Sequence, residues 1–191
     1  DAVTDPKLIE SIDAIFGKHM DAELAGDLET TMATMSPNPH IVNIPTMIGG
    51  QGQEGVRRFY ANRLIGQFFP PDVKFETITS TYSPERLVSE LIISFTHTTE
   101  MDHILPGVKP TGKFAEVVFV VIVGFEDQAV SFEHIHWDQA NLLVQLGLAL
   151  ACRTRRAPPS RARAAPRPAE ARIGTAKAAS RRRPPRRRAP R

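Results

Sequence analysis

The stretch of sequence that decides the fold is residues 114–137, FAEVVFVVIVGFEDQAVSFEHIHW. Phe114 to Phe125 is an apolar run rich in strand-forming residues, Glu126-Asp127-Gln128 is a turn, and Val130 to Trp137 is a second strand. Two strands joined by so short a turn pair in the antiparallel direction. The stretch therefore predicts a hairpin within an antiparallel sheet.

Two further strands precede this hairpin. Val73 to Tyr82 is followed by the turn Ser83-Pro84-Glu85 and by a long strand from Arg86 to His103. A turn rich in proline and glycine, residues 105–112, leads from there into the hairpin. The second half of the chain is thus predicted to be a four-stranded meander.

The first half is predicted to be mainly helical. Asp5-Pro6 is a typical helix start, because the carboxylate caps free N–H groups and proline at the first position loses no needed donor. The first helix runs to about Leu24, a second begins at Asp27, and a third spans about Gln53 to Ile65. Helical spacing of the first helix gives an apolar stripe of Leu8, Ile9, Ile12, Ile15, Phe16, His19 and Met20.

Two short segments connect these helices. His40 to Ile44 is predicted to be a brief strand, and Gly49 to Gly52 a loop before the third helix. The loop lacks the Gly-Lys-Ser/Thr ending of a phosphate-binding loop, and no βαβ pattern surrounds it, so a nucleotide site is not expected. After the meander, Asp138 is expected to cap a final helix through Leu142, Leu143 and Leu146.

The order of elements indicates an α+β fold, a curved antiparallel sheet wrapped around N-terminal helices in the shape of a cone. Such a cone leaves a cavity between sheet and helices, which is the usual place for a small ligand. This domain is predicted to cover residues 1–150, and residues 151–191 form a separate tail.

Charge divides the chain in the same way. Residues 152–191 contain 15 basic groups and a single acid, Glu170, so the tail carries +14 while residues 1–151 carry −11. The tail is rich in arginine, proline and alanine and has no apolar periodicity, so it is predicted to be disordered. It is either an unselected extension, such as GC-rich DNA gives in a wrong frame, or an arm that binds nucleic acid through phosphate contacts.

Other compositional signals exclude several classes of protein. Cys152 is the single cysteine, so no intrachain disulfide is available. Apolar runs such as Val117 to Val123 are too short to span a membrane. The first residues lack the pattern of a secretory signal, so a cytoplasmic location is expected.

Residues 133–139, EHIHWDQ, and 142–147, LLVQLG, resemble the last strand and closing turn of SnoaL-like polyketide cyclases in the nuclear transport factor 2-like superfamily. Pro45 to Gly50 and Leu105-Pro106-Gly107 add to the resemblance, which covers about residues 5–148. It implies a cone-shaped domain, often a homodimer through the outer face of the sheet, that binds a hydrophobic small molecule without a metal or an organic cofactor.

The resemblance also implies a choice of functions. Members include cyclases, isomerases and hydrolases that need no cofactor, and also binding domains without catalytic activity. The first hypothesis is acid/base catalysis on a hydrophobic carbonyl compound, and the alternative is a binding or dimeric accessory domain. Fold alone does not separate the two.

Three residues are predicted to be catalytic. Asp138 matches the acidic position of the SnoaL-type acid/base, where a carboxylate in an apolar pocket removes a proton alpha to a carbonyl. The competing interpretation is that Asp138 only caps the last helix. His97 and His136 are predicted to donate protons or to orient the substrate, since imidazole titrates near neutral pH.

Three more residues are predicted to bind the ligand: Asn43, His134 and Trp137. Alternation along the last strand places His134 and His136 on one face, and Glu133, Ile135 and Trp137 on the other. The sequence does not say which face lines the cone. The two histidines could also form a metal site with His97, Glu100, Asp102 and His103. Zinc needs three or four converging ligands, and no metal site is predicted.

Overall fold

The structure, a computed structural model, describes residues 5–150. It is an α+β domain with helices on one face of a single open sheet. Its elements are α1 (Pro6–Ala25), α2 (Leu28–Ala33), β1 (Met35–Asn43), β2 (Ile48–Gln51), α3 (Gly52–Phe59) with a π-helical continuation (Tyr60–Leu64), β3 (Lys74–Ser83), β4 (Arg86–Thr96), β5 (Phe114–Glu126), β6 (Ala129–Trp137) and α4 (Gln139–Gln145).

The six strands are ordered β2-β1-β6-β5-β4-β3. Strands β3 to β6 form the predicted antiparallel meander. Asp127 and Gln128 both have positive φ, 48° and 61°, which gives the tight two-residue turn between β5 and β6. Strand β1 is the exception to the antiparallel prediction, because it pairs with β6 in the parallel direction.

Apolar side chains from the helices and from the inner face of the sheet form the core. Ile12 of α1, Met32 of α2 and Phe59 of α3 pack with Leu87 and Val123 of the sheet. A second cluster lies near the other end of the strands and contains Phe95, Phe119, Trp137 and Leu142. The cavity described below lies between the inner face of the sheet and the helices.

The predicted helix caps are confirmed. The carboxylates of Asp5, Asp27 and Asp138 accept backbone N–H bonds from Lys7, Thr30 and Asn141 at 3.0, 3.0 and 2.9 Å. Gly26 ends α1 in the left-handed conformation, with φ of 72°. The helix starts could be predicted from sequence because an N-cap bond joins a side chain to a backbone N–H group two or three residues further on.

The predicted start of β1 was wrong, and β2 was not predicted. Strand β1 begins at Met35 and includes Pro37 and Pro39, which lie where its register with β6 shifts, so the missing N–H groups break no regular ladder. Residues 48–51 form a strand rather than a loop. Gly49 permits it, because a Cβ there would lie 1.9 Å from the carbonyl oxygen of Ile41.

The predicted end of β4 was also wrong. The strand stops at Thr96, and the backbone of His97 then closes a loop by pairing with Lys113 and Gly112. Met101 and His103 are therefore loop residues, and their burial reflects packing of the loop on the core.

No helix in residues 5–150 is both long and apolar enough to cross a membrane. The predictions for the basic tail fall on residues 151–191, which lie outside the described part of the chain.

Candidate active site

A cavity of about 170 Å³ lies between the inner face of the sheet and the helices. Most of its wall is apolar, and its polar lining groups are Glu23, Asn43, Thr77, Ser89, His103 and Glu133. Phe75 and Thr77 of β3 line the cavity and are also exposed, so the cavity opens to solvent beside this edge strand. A small apolar molecule can enter on this side.

Glu133 is the acidic side chain that β6 places in this cavity. It belongs to the inner face of the strand, together with the cavity residue Ile135, and is 4% exposed. Its Oε1 atom has no hydrogen-bond partner among residues 5–150. That oxygen lies 3.5 Å from Nε2 of His19, so it takes part in an ion pair but accepts no hydrogen bond from the described residues. A buried carboxylate with unfilled hydrogen-bonding capacity in a cavity wall is a candidate group for contact with a ligand.

Helix α1 brings His19 and Glu23 to Glu133, because residues four apart lie on the same face of a helix. The Nε2 atom of His19 is 3.2 Å from Oε1 of Glu23 and 3.5 Å from Oε1 of Glu133. The other ring nitrogen, Nδ1, is 2.6 Å from the hydroxyl of Thr34. That hydroxyl donates its own proton to the carbonyl of Thr31, so its oxygen accepts from Nδ1–H. Nδ1 is therefore protonated, and Nε2 is the atom that faces the two carboxylates.

The electrostatics of this cluster follow from its burial. Burial raises the pKa of Glu133 to about 7, and the nearby charge of Glu23 adds to the effect, while His19 opposes it. Burial alone would lower the pKa of His19, but the hydrogen bond to Glu23 and the charges of both glutamates raise it to about 9. At neutral pH His19 is thus an imidazolium, and Glu133 is close to its midpoint.

His103 and Asn43 are the other polar groups of interest in the wall. Neither ring nitrogen of His103 has a hydrogen-bond partner in the described part of the chain, and burial lowers its pKa to about 4. The ring is therefore neutral at physiological pH and has one N–H to donate. The amide nitrogen of Asn43 donates to the carbonyl of Ile48, and this holds the side chain in place.

The ligand atoms of His19, Glu23 and Glu133 lie within 4.8 Å of one another, the one group of metal-ligand spacing in residues 5–150. Without a cation, protonated His19 lies between the two carboxylates, and the three side chains form an ion-pair network.

Comparison with solved structures matches this architecture. The chain aligns with a structure described as a putative SnoaL-like polyketide cyclase from Jannaschia, with a TM-score of 0.56, 14% identity and coverage of 74% of this chain and 94% of that one. It aligns with the putative polyketide cyclase IdmH from Streptomyces antibioticus at a TM-score of 0.53 and 20% identity, covering 71% and 98%. An NTF2-like protein of unknown function from Burkholderia pseudomallei gives 0.52 and 18%, covering 71% and 97%.

The chain has the nuclear transport factor 2-like fold. No protein-family profile and no curated protein sequence matches it. The fold predicted from the order of elements and from the resemblance in residues 133–147 is confirmed by these solved structures.

Within this nuclear transport factor 2-like fold, two of the residues predicted from the sequence, Asp138 and Trp137, do not line the cavity. Asp138 is exposed, does not line the cavity and accepts the N–H of Asn141 as the cap of α4. Trp137 stacks on Phe119 at a centroid distance of 5.3 Å, and its ring N–H donates to Gln139. Asn43, in contrast, lines the cavity.

The predicted histidines lie elsewhere. His134 and His136 are on the outer face of β6, where the Nε2 atoms of His134 and His40 are 3.0 Å apart. His97 is buried beside the loop, and its Nδ1 accepts the backbone N–H of Thr111. None of these three lines the cavity, and they form no metal-spaced group with His103 among the described residues.

Sequence reasoning missed the cluster of His19, Glu23 and Glu133, although signals for it were present. His19 falls in the apolar stripe of α1, and Glu23 follows it by one helical turn, on the same buried face. Alternation placed Glu133 on the strand face opposite His134, but the sequence did not show which of the two faces is buried against the helices. A titratable residue in an apolar stripe is the signal that could have identified the site.

Proposed function

We propose that this protein is an acid/base enzyme that needs no cofactor and acts on a hydrophobic carbonyl compound, with Glu133 as the base. The observation that carries the proposal is the buried carboxyl group of Glu133 in the wall of an apolar cavity, where it faces His19 but accepts no hydrogen bond within residues 5–150. Asp138 was the carboxylate favoured by the sequence, but its exposed position gives it no contact with a ligand in this cavity.

The chemistry of the step is a proton transfer at carbon. Glu133, in its ionised form, removes a proton alpha to the carbonyl, and the electron pair of the broken C–H bond moves to give an enolate. In an isomerisation, the protonated carboxyl returns the proton to another carbon of the conjugated enolate. In an aldol cyclisation, the enolate carbon attacks a second carbonyl carbon, the electron pair of that C=O bond moves to its oxygen, and the carboxyl protonates the resulting alkoxide. A base with a pKa of about 7 is suited to this task, since general bases work best when their pKa lies near the operating pH.

His103 supports the same reaction by stabilising the enolate oxygen. Its ring is neutral, buried and without a hydrogen-bond partner in residues 5–150, so its N–H is free to donate to a ligand oxygen. A fixed donor in a site that excludes water stabilises developing negative charge more than the same group does in water. Asn43 orients the ligand from the neighbouring wall.

The cluster behind Glu133 keeps this base in a usable state. The positive charge of His19 limits the rise in the pKa of Glu133 that burial and Glu23 cause, so that a large fraction of Glu133 is ionised at neutral pH. Thr34 orients the ring of His19 through Nδ1. His19 and Glu23 are positioning residues in this scheme.

The fold relatives support the choice of reaction class. Two of them are described as putative polyketide cyclases. Their identities to this chain, 14% and 20%, establish the fold and not the substrate.

The test is deuterium exchange in D₂O, which needs no knowledge of the natural product. Apolar ketones, such as acetophenone and phenylacetone, are incubated with the protein, and loss of the alpha-proton signal is followed by NMR. Wild type is expected to accelerate exchange, and Glu133→Gln to lose at least about 100-fold, the usual contribution of a general base. Asp138→Asn is the matched control and is expected to retain the rate.

Retention of exchange by Glu133→Gln with its loss in Asp138→Asn would return the catalytic role to Asp138. Binding of a ketone to wild type without any exchange would identify the chain as a binding domain. Circular dichroism of each variant confirms that the comparison is made between folded proteins.

A further inference from the structure

The size of the cavity limits what it can hold. Pockets that enclose ligands of drug size have volumes of roughly 300–1,000 Å³. An engineered apolar cavity of about 150 Å³ binds benzene. At about 170 Å³, the present cavity is close to the second case, so it has room for one ring and a short substituent.

Aromatic rings surround Phe69 in one part of the wall. They belong to Phe68, Phe75, Phe95, His103 and Phe119, at centroid distances of 5.0, 5.6, 5.7, 5.9 and 6.5 Å. Because close-packed rings resist changes of volume, truncation of the half-buried Phe69 is the direct way to enlarge the cavity on this side.

The polar groups define the remaining chemistry of the ligand. Glu23, Glu133 and His103 carry the cavity-lining polar atoms that make no hydrogen bond within residues 5–150, and His19 lies between the two carboxylates. An acceptor oxygen of the ligand can bind His103, and an acidic C–H or O–H can meet Glu133. The rest of the surface is mostly aliphatic and aromatic, with Phe68, Phe69 and Phe119 suited to the face or edge of a flat ring. A ligand with several charged groups would lose hydration without gaining partners.

We infer that the ligand of this site is a single-ring apolar carbonyl compound of about 8–10 non-hydrogen atoms, and not a polycyclic one. This inference rests on the proposed function for its carbonyl group, whereas the size limit rests on the cavity alone. It separates this chain from an enzyme that cyclises a multi-ring precursor.

The experiment is a size series read by binding and not by turnover. Acetophenone, 1-tetralone, a three-ring ketone and a steroid ketone are titrated into the full-length protein by isothermal calorimetry and by ligand-detected NMR. Acetophenone is expected to bind at least about tenfold more tightly than the three-ring and four-ring ketones. Equal or tighter binding of the steroid ketone would overturn the inference.

Variants of one strand test whether the cavity is responsible. Val121 of β5 lines the cavity, and its neighbour Val120 points to the other face of the sheet. Val121→Phe is expected to abolish binding of acetophenone, and Val120→Phe to leave it unchanged. Equal effects of the two substitutions, in folded protein, would contradict the assignment.

Enlargement gives the opposite test. Phe69→Ala removes a ring from the wall, and it is expected to improve binding of the two-ring and three-ring ketones at least about tenfold relative to acetophenone. An unchanged order of affinities in this variant would overturn the size limit. Glu133→Gln should keep the size preference while losing exchange, so failure of the catalytic proposal is distinguished from failure of this one.

Discussion

At the scale of single residues, surroundings decide which carboxylate can act. Glu133 and Asp138 are five positions apart, but one lies buried in a cavity wall and the other is an exposed helix cap. Removal from water raises the pKa of Glu133 to about 7 and makes it a stronger base at neutral pH. The sequence favoured Asp138 over Glu133 as the catalytic carboxylate, because Asp138 matches the acidic position of SnoaL-like proteins. The burial of Glu133 could not be determined from the sequence.

His19 provides a prediction about stability at this scale. Its folded-state pKa of about 9 lies above the ordinary 6.5, so its stabilising contribution is complete below pH 6.5 and is lost as pH rises through 9. Between pH 7 and 9 the free energy of unfolding should therefore fall by about 1 kcal/mol per pH unit. Urea denaturation at pH 7, 8 and 9 measures this slope.

The control for this slope is the double variant His19→Gln/Glu133→Gln, because Glu133, with a pKa of about 7, also loses a proton at the lower end of this window. The double variant is expected to be less stable at pH 7 but nearly independent of pH over the same range. The downward shift of the pKa of His103 acts below pH 6.5 and does not enter this window. The same slope in the variant as in wild type would show that another group is responsible.

At the scale of elements, the sequence predicted what depends on local patterns. The meander and its turns, the caps at Asp5 and Asp27, and the apolar stripe of α1 all follow from short-range signals. Strand β2 could not be predicted, because Gly49 and Gly50 look like a loop until β1 and α3 are placed against them. The end of β4 at Thr96 was not predicted, because the loop after it contains buried residues such as Met101 that resemble a continuation of the strand.

Gly49 gives a prediction about the element boundary. A Cβ at this position would lie 1.9 Å from the carbonyl oxygen of Ile41, so Gly49→Ala must separate β2 from β1. We expect a loss of about 1–3 kcal/mol in the free energy of unfolding, as for overpacked sites. Gly17→Ala is the control, because nothing lies within 4 Å of its Cβ and alanine favours the helix by up to about 1 kcal/mol. Destabilisation by both substitutions alike would contradict this account.

At the scale of the whole molecule, the order of elements was enough for the fold but not for the site. Residues from α1, the loop after β4 and strand β6 meet in the cavity, and their sequence separation hides this from any local pattern. Homodimer formation stays a prediction from the resemblance. Apolar side chains on the outer face of β5, such as the exposed Val118, are compatible with it. Nucleic-acid binding by residues 152–191 is likewise a prediction, to be checked by a salt titration with and without that segment.

The measurement that tests the central claim most directly is the pH dependence of ketone exchange by the full-length protein. If Glu133 is the base, the rate rises with pH to a plateau, with a midpoint near its pKa of about 7, and Glu133→Gln shows no such rise. Circular dichroism at each pH establishes that the protein is folded. A midpoint near the ordinary carboxylate value of 4.5, or the same profile in Glu133→Gln, would contradict the account.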